Sequence, residues 1–392
     1  MGRRKPISTS ETSTIVYPSG LFSLQKDEIY PYERYAYNVL SIASEAFHTQ
    51  KLPLRMTVDF TQQGQEVSPW IINASIDHHL ENGQPVAFTF RMPELTPAIL
   101  YLFTTAIVTD FFDADRSGEF QKNPDTLRQR FQHFGQAVTI AIREYRVQGF
   151  AHAIRAAYEH LGLTIGTFQR SSEDYNLLAI QMAYHEVAHG YLKQVTRNTC
   201  TKVETSAFEL LADLVAVAWF YNHMIVNTPD TEEYRQFRRL KSHADSIFMN
   251  AMLTLRSQQA LVILMAVAGA QRSGGAVSLA AGESHPPGMQ RFMLQHVMLY
   301  TLIASNFSNL LLPEHFDVFQ KEWDDNLDTL VRAGVIPLKD IETMLDTREC
   351  DTIEAAANLI EELRVPELLR LLPTLRAMRD WLTDAIAGGR SR

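Results

Sequence analysis

Residues 184–189 read YHEVAH, and residues 209–213 read ELLAD. Both strings lie in long stretches with helical periodicity, so each is predicted to lie on a helix. On a helix, His185 and His189 would be about 40° apart around the axis and about 6 Å apart along it. Their imidazole rings can then reach one metal ion from the same face. This spacing predicts a metal site.

Carboxylates around the histidine pair complete a candidate zinc site. Glu186 projects about 100° from His185 around the helix axis, close to the metal without necessarily binding it, so it is the candidate general base. Glu209 is the natural third ligand, because it begins the second string. Asp213 lies one turn later on the same face, where it could accept the free ring N–H of a zinc-binding histidine.

Each of these assignments has a structural alternative. The histidine pair could be two polar side chains near the surface of an ordinary helix. Residues 206–209 (SAFE) also match a capping box, in which Glu209 would accept a hydrogen bond from the first backbone N–H of its own helix. Asp213 could be a solvated carboxylate, although its apolar neighbours predict a mostly buried helix, and a buried aspartate needs a partner.

The order of the motifs resembles that of the gluzincin metallopeptidases. After HEVAH and ELLAD the chain contains SHPP at residues 284–287, with Arg291 four residues further on. The pattern is most similar to the group that holds the CaaX prenyl proteases, the HtpX heat-shock proteases and their soluble relatives. The match covers residues 172–300. A cytosolic gluzincin of the phage-exclusion Lit peptidase type is an alternative affiliation.

The resemblance implies a zinc-dependent endopeptidase that cleaves protein or peptide substrates and holds one zinc ion per chain. It assigns the zinc ligands as His185, His189 and Glu209, with Glu186 as the catalytic base. It also implies that His285 donates to the developing oxyanion or to the substrate, and that Arg291 organises the groups behind the ligands. The prenyl proteases and HtpX proteins are embedded in membranes, whereas no apolar stretch here reaches the roughly 20 residues that a bilayer requires.

Composition and charge narrow the class of protein. Of 392 residues, 46% are hydrophobic and 21% are charged, which is typical of a globular protein with two domains or one large one. A net charge of −9 argues against a nucleic-acid partner and against an acidic lipid surface. The two cysteines, Cys200 and Cys350, offer no disulfide framework. We therefore expect a cytoplasmic protein without a membrane span.

The expected fold class is α+β and mostly α, a gluzincin-type zincin with a small, largely antiparallel sheet. Residues 1–14 are predicted to be a disordered tail, and residues 15–312 the catalytic domain. The sheet is expected at about 54–91, with strands at 54–60, 70–76 and 86–91. His78 and His79 fall in the turn between the last two strands. The zinc helices are expected at 174–195 and 206–225.

Residues 313–392 are predicted to form a separate helical region rich in leucine. Its amphipathic helices, at 352–363 and 366–382, must bury an apolar face against the catalytic core or against another protein. We therefore expect this region to cover the cleft and to couple it to a regulatory partner or ligand. Two alternative functions are a non-catalytic regulator stabilised by zinc and a protease activated by a stress or defence signal. Glu186 argues against the first, because a structural site does not use a general base.

Overall fold

The computed structural model describes residues 13–48, 55–61, 75–81, 84–163, 165–196, 205–226, 242–273, 288–307, 311–336 and 347–389. These residues form a mostly helical structure with one small sheet. The predicted class, α+β and mostly α, is therefore confirmed. The gluzincin type stays a prediction.

Four strands and fourteen α-helices are described. The strands are β1 (Ser13–Val16), β2 (Arg55–Asp59), β3 (Ser75–Glu81) and β4 (Gln84–Arg91). The helices are α1 (Lys26–His48), α2 (Thr96–Phe103), α3 (Thr109–Phe111), α4 (Ala114–Lys122), α5 (Pro124–Gln148), α6 (Phe150–His160), α7 (Ile165–Val195), α8 (Thr205–Val226), α9 (His243–Ser273), α10 (Gly288–Phe307), α11 (Pro313–Arg332), α12 (Thr347–Leu363), α13 (Pro366–Leu369) and α14 (Leu372–Gly389). A π-helix (Thr104–Val108) joins α2 to α3. None of these helices combines the length and the apolar character needed to cross a membrane.

The sheet is mixed, so the prediction of a largely antiparallel sheet was wrong. Its strand order is β1-β2-β4-β3. The pairs β1–β2 and β2–β4 are parallel, and only β3–β4 is antiparallel among the described strands. A parallel pair needs a crossover connection, which α1 supplies between β1 and β2. The predicted tail ended at residue 14, whereas β1 already begins at Ser13.

His78 and His79 lie in β3 and not in a turn. The strand predicted at 70–76 begins at Ser75 and continues to Glu81, while residues 70–74 fall outside the described residues. Nε2 of His79 is 3.0 Å from Oγ1 of Thr89 on β4. The ring of His78 meets the ring of Phe88 edge to face, with centroids 4.6 Å apart. Both histidines therefore contact the neighbouring strand.

The long helix α7 is central to the fold and packs against α1, α2, α8 and α9. It begins at Ile165, well before the predicted start at 174. Asp174, the predicted first residue, therefore lies inside the helix. Oγ1 of Thr109 on α3 donates to Oδ2 of Asp174 at 2.8 Å. The second of the two predicted ligand helices corresponds to α8, which agrees with the predicted bounds to within one residue at each end.

The helices after residue 312 belong to the same hydrophobic core as the preceding part of the chain. Helix α12 packs against α8, and α14 packs against α10 and α12. Nε of Arg128 on α5 donates to the carbonyl oxygen of Ala333 at 2.9 Å. Core residues of this region that are at most 3% exposed include Trp323, Leu330, Ile360 and Leu375.

Four buried tyrosines connect α1 to α6 and α7. They are Tyr32, Tyr35, Tyr158 and Tyr175, and each is at most 5% exposed. The hydroxyl of Tyr32 donates to the carbonyl oxygen of Glu94 at 2.8 Å, and that of Tyr175 donates to the carbonyl oxygen of Pro31 at 2.7 Å. Burial raises the pKa of each of the four well above the usual tyrosine value, because a buried phenolate would lose its hydration.

We expect the protein to lose stability steeply above about pH 10, where tyrosines of the unfolded chain ionise. Because the pKa values are raised in the folded state, their stabilising effect is complete below the unfolded pKa and is lost as the pH rises above it. Each group then removes about 1.4 kcal/mol per pH unit, so the four together remove about 5 kcal/mol per unit. Urea unfolding followed by circular dichroism between about pH 9 and pH 11 measures this slope.

A matched pair of variants isolates the tyrosine contribution. Tyr35→Phe should reduce the slope by about 1.4 kcal/mol per pH unit, because one ionising group is removed. Tyr37→Phe removes a hydroxyl from the same helix, at a position that is 44% exposed, and should leave the slope unchanged. Equal slopes in the wild type and in Tyr35→Phe would show that other groups control alkaline unfolding.

Candidate metal centre

Helices α7 and α8 bring His185, His189 and Glu209 to one point. The Nε2 atoms of the two histidines are 3.0 Å apart. Oε2 of Glu209 lies 3.3 Å from Nε2 of His189 and 3.8 Å from Nε2 of His185. His185 and Glu209 are buried, and His189 is partly buried. Two imidazole nitrogens and one carboxylate oxygen therefore face each other at the interface between the two helices.

The three atoms fit a tetrahedral metal site. Two ligands at about 2.05 Å from a metal, separated by the tetrahedral angle, are about 3.3 Å apart. The observed separations of 3.0, 3.3 and 3.8 Å lie around this value. Two imidazoles and one carboxylate form the donor set of catalytic zinc sites, which leave the fourth position to water or substrate. These side chains could therefore hold one metal ion.

Asp213 lies behind the first histidine. Its Oδ1 atom is 3.0 Å from Nδ1 of His185, and the residue is only 4% exposed, which does not agree with the alternative of a solvated carboxylate. When Nδ1 carries the proton and donates it to this carboxylate, Nε2 keeps its lone pair for a metal. Asp213 thereby fixes both the tautomer of the imidazole and the direction in which its ring points.

The local sequence explains why these four side chains meet. His185 faces Asp213 and His189 faces Glu209, so the order along one helix is the reverse of the order along the other. The two helices are therefore antiparallel here, and a spacing of four residues on each side matches one helical turn to one helical turn. Small residues between the polar positions, such as Ala188 and Ala212, are fully buried and allow the helices to approach closely.

The capping-box alternative for Glu209 requires Ser206 to precede the helix as its N-cap. However, α8 begins at Thr205, so Ser206 is already inside it. Oε2 of Glu209 faces the two histidines of α7.

Glu186 is partly exposed and lies near Tyr35 of α1. Burial is the main reason that the pKa of Tyr35 is raised, and the negative charge of Glu186 raises it further. The Glu186 carboxylate is therefore close to α1, whereas the ring of His185 faces α8. Tyr35 was not predicted as a neighbour, because nothing in its distant sequence position connects it with the HEVAH string.

A second neighbour of the site that sequence reasoning missed is Phe208. Its ring stacks on that of His189, with centroids 5.7 Å apart and an angle of 24° between the planes. The available signal in the sequence was its position directly before Glu209, because a residue next to a predicted ligand on α8 also lies near α7. This contact limits the orientations that the His189 ring can adopt.

The structure does not place two of the predicted site residues at the candidate metal centre. His285 lies outside the described residues. Arg291 lies near the start of α10, and its side chain is not among those described. The roles that the resemblance implies for these two residues therefore stay predictions.

Comparison of the chain with protein-family models, with curated proteins and with solved structures found no match. The gluzincin affiliation accordingly stays a prediction based on the motifs.

Proposed function

We propose that this protein is a zinc-dependent endopeptidase. The observation that supports the proposal most strongly is the position of Glu186. It follows His185 directly in the sequence. The ligating atoms of His185, His189 and Glu209 face each other. A structural zinc site fills all four positions with protein groups, whereas the described residues offer three. Hydrolysis requires an open metal position for water and a general base beside it. The fourth coordination position and the Glu186 carboxylate would supply these.

In this proposal, bound zinc would lower the pKa of a water molecule and polarise the scissile carbonyl. Glu186 would take the proton from the attacking water and transfer it to the leaving amine. Asp213 would hold His185 in the tautomer that presents Nε2, and Phe208 would keep the ring of His189 in place. His285, if it acts as the resemblance implies, would donate to the oxyanion, an interaction on the order of 3 kcal/mol.

The position of β3 supports a peptide as the substrate. This strand is at the edge of the sheet, and it packs against α7, which carries both histidines. Nζ of Lys193 on α7 donates to the carbonyl oxygen of Ile76 on β3 at 3.3 Å. An extended peptide could add to such an edge through main-chain hydrogen bonds, which would position it close to the metal centre.

We expect removal of the metal to abolish cleavage. The test is the degradation of an unstructured protein by the purified chain, after dialysis against a chelator and after zinc is added back. Activity should disappear and then return, and elemental analysis should find about one zinc per chain, as three protein ligands and one open position imply. A chain that holds no zinc after purification without chelators, and none after reconstitution, would reject the proposal.

Variants of the ligand set provide the control for this experiment. Glu209→Ala should weaken zinc binding strongly, and Asp213→Ala should weaken it by about 10- to 100-fold, because Asp213 acts only through His185. Glu173→Ala removes an exposed carboxylate from α7 and should leave the affinity unchanged. Competition with a chromophoric chelator measures all three affinities. Wild-type affinity in Glu209→Ala would exclude Glu209 as a ligand.

A further inference from the structure

A second site is indicated by a cavity of about 700 Å³ between α10, α11 and α14. All the described residues that line it belong to these three helices, so it is separate from the candidate metal centre on α7 and α8. Its volume lies within the range of about 300–1,000 Å³ that is typical of pockets for small molecules.

Four large aromatic side chains form part of the wall of this cavity. Its lining includes Tyr300, Phe316, Trp323 and Trp381. Tyr300 and Phe316 meet edge to face with centroids 5.5 Å apart. Trp381 is 43% exposed and Tyr300 is 38% exposed, which is unusual for such large rings. Two aromatic faces at the opening are therefore available to a ligand.

His296 contributes a buried aromatic ring to the lining. It is 5% exposed, and its ring is stacked on Phe319 and Trp323 at centroid distances of 5.3 and 4.0 Å. Nε2 lies 3.3 Å from Oε1 of Gln320, while Nε2 of Gln320 donates to Asp324 at 3.0 Å. The glutamine oxygen therefore faces the imidazole, which makes Nε2 of His296 the donor and Nδ1 the acceptor. Among the described residues, Nδ1 has no hydrogen-bond partner.

The charge of the lining favours a positively charged ligand. Among the described lining residues, Asp317 is the one carboxylate and none is lysine or arginine. Burial lowers the pKa of His296 to about 4, against a smaller opposing effect of its hydrogen bond to Gln320, so the ring is neutral at pH 7. Aromatic faces attract cations, and a nearby carboxylate adds to this attraction, whereas an anion would be repelled.

We propose that this cavity binds a small organic cation that has a flat apolar body and N–H donors, such as an aromatic amidinium or amine. The flat body would pack against Tyr300, Phe316 and Trp381. The cationic group would pair with Asp317. This proposal uses no residue of the metal centre and does not depend on the proposed peptidase function.

The test uses three probes of nearly identical shape and different charge. Isothermal titration calorimetry of the full chain is carried out with benzamidine, which is a cation, with neutral benzamide and with anionic benzoate. Benzamidine should bind with a stoichiometry of one and at least about tenfold more tightly than benzoate, with benzamide between them. Equal affinity for benzamidine and benzoate, or no binding of benzamidine, would overturn the proposal.

Variants at exposed positions locate the binding. Asp317→Asn should weaken benzamidine about fivefold and leave benzamide unchanged, and Trp381→Ala should weaken both by about fivefold or more. Glu314→Gln, an exposed carboxylate on the same helix but outside the lining, is the matched control and should bind like the wild type. Circular dichroism verifies that each variant folds. Wild-type affinity for benzamidine in both Asp317→Asn and Trp381→Ala would place the binding elsewhere and reject this site.

Discussion

Glu186→Gln should abolish proteolysis while the fold and the metal content remain as in the wild type. The amide has nearly the same shape as the carboxylate but cannot accept the proton of the attacking water. Loss of general-base catalysis is expected to reduce the rate by about 10²- to 10⁴-fold. The measurement is the initial rate of cleavage of an unstructured protein, at zinc occupancy matched between variant and wild type by elemental analysis.

Glu173→Gln is the matched control for this prediction. It makes the same chemical change at an exposed position of α7, about three and a half turns before Glu186. Its activity should equal that of the wild type. A comparison of protein termini in cells that contain the wild type or Glu186→Gln would then reveal the substrates. Cleavage by Glu186→Gln at the wild-type rate would refute the assigned role of the carboxylate.

A chain that ends at Leu312 should fail to fold. The truncation removes α11, α12 and α14, and with them core residues that are at most 3% exposed, such as Trp323, Leu330, Ile360 and Leu375. Loss of even one large buried side chain costs about 2–5 kcal/mol, while the stability of a whole domain is about 5–15 kcal/mol. Far-UV circular dichroism and urea unfolding of the truncated chain measure the outcome.

A pair of tryptophan variants tests the same contribution without truncation. Trp323 is 3% exposed and Trp381 is 43% exposed. Trp323→Ala should lower the free energy of unfolding by about 3–5 kcal/mol, and Trp381→Ala by much less. A truncated chain that is folded and cleaves substrate would show instead that residues 313–392 are a separate regulatory region, as the amphipathic pattern first suggested.

The metal centre could be predicted because its determinants are local. His185 and His189 are one helical turn apart, as are Glu209 and Asp213, and the helix fixes the geometry within each pair. The assignment of Glu209 and Asp213 to the same site as the histidines needed only two neighbouring antiparallel helices. The bounds of α8 were also predictable, because a continuous apolar stretch defines them.

Other features depend on contacts that no local pattern encodes. The alternation of apolar residues in β2 and β4 indicates which faces are buried, but not the direction of the neighbouring strand, so the parallel pairing was missed. The electrostatic influence of Glu186 on Tyr35 depends on how α1 packs on α7. The cavity around His296 exists only after three helices from different parts of the chain have assembled.

The packing of α12 against α8 affects the order of events during synthesis of the chain. Chains are made at about 5–20 residues per second, so α12 and α14 follow the helix that carries Glu209 and Asp213 by about 10 to 35 seconds. During that interval, the surface of α8 that packs against α12 is uncovered. A nascent chain would therefore complete the packing around the candidate metal site late. The proposed peptidase activity would begin after translation has passed these helices, when the enzyme is no longer next to its own unfolded segments.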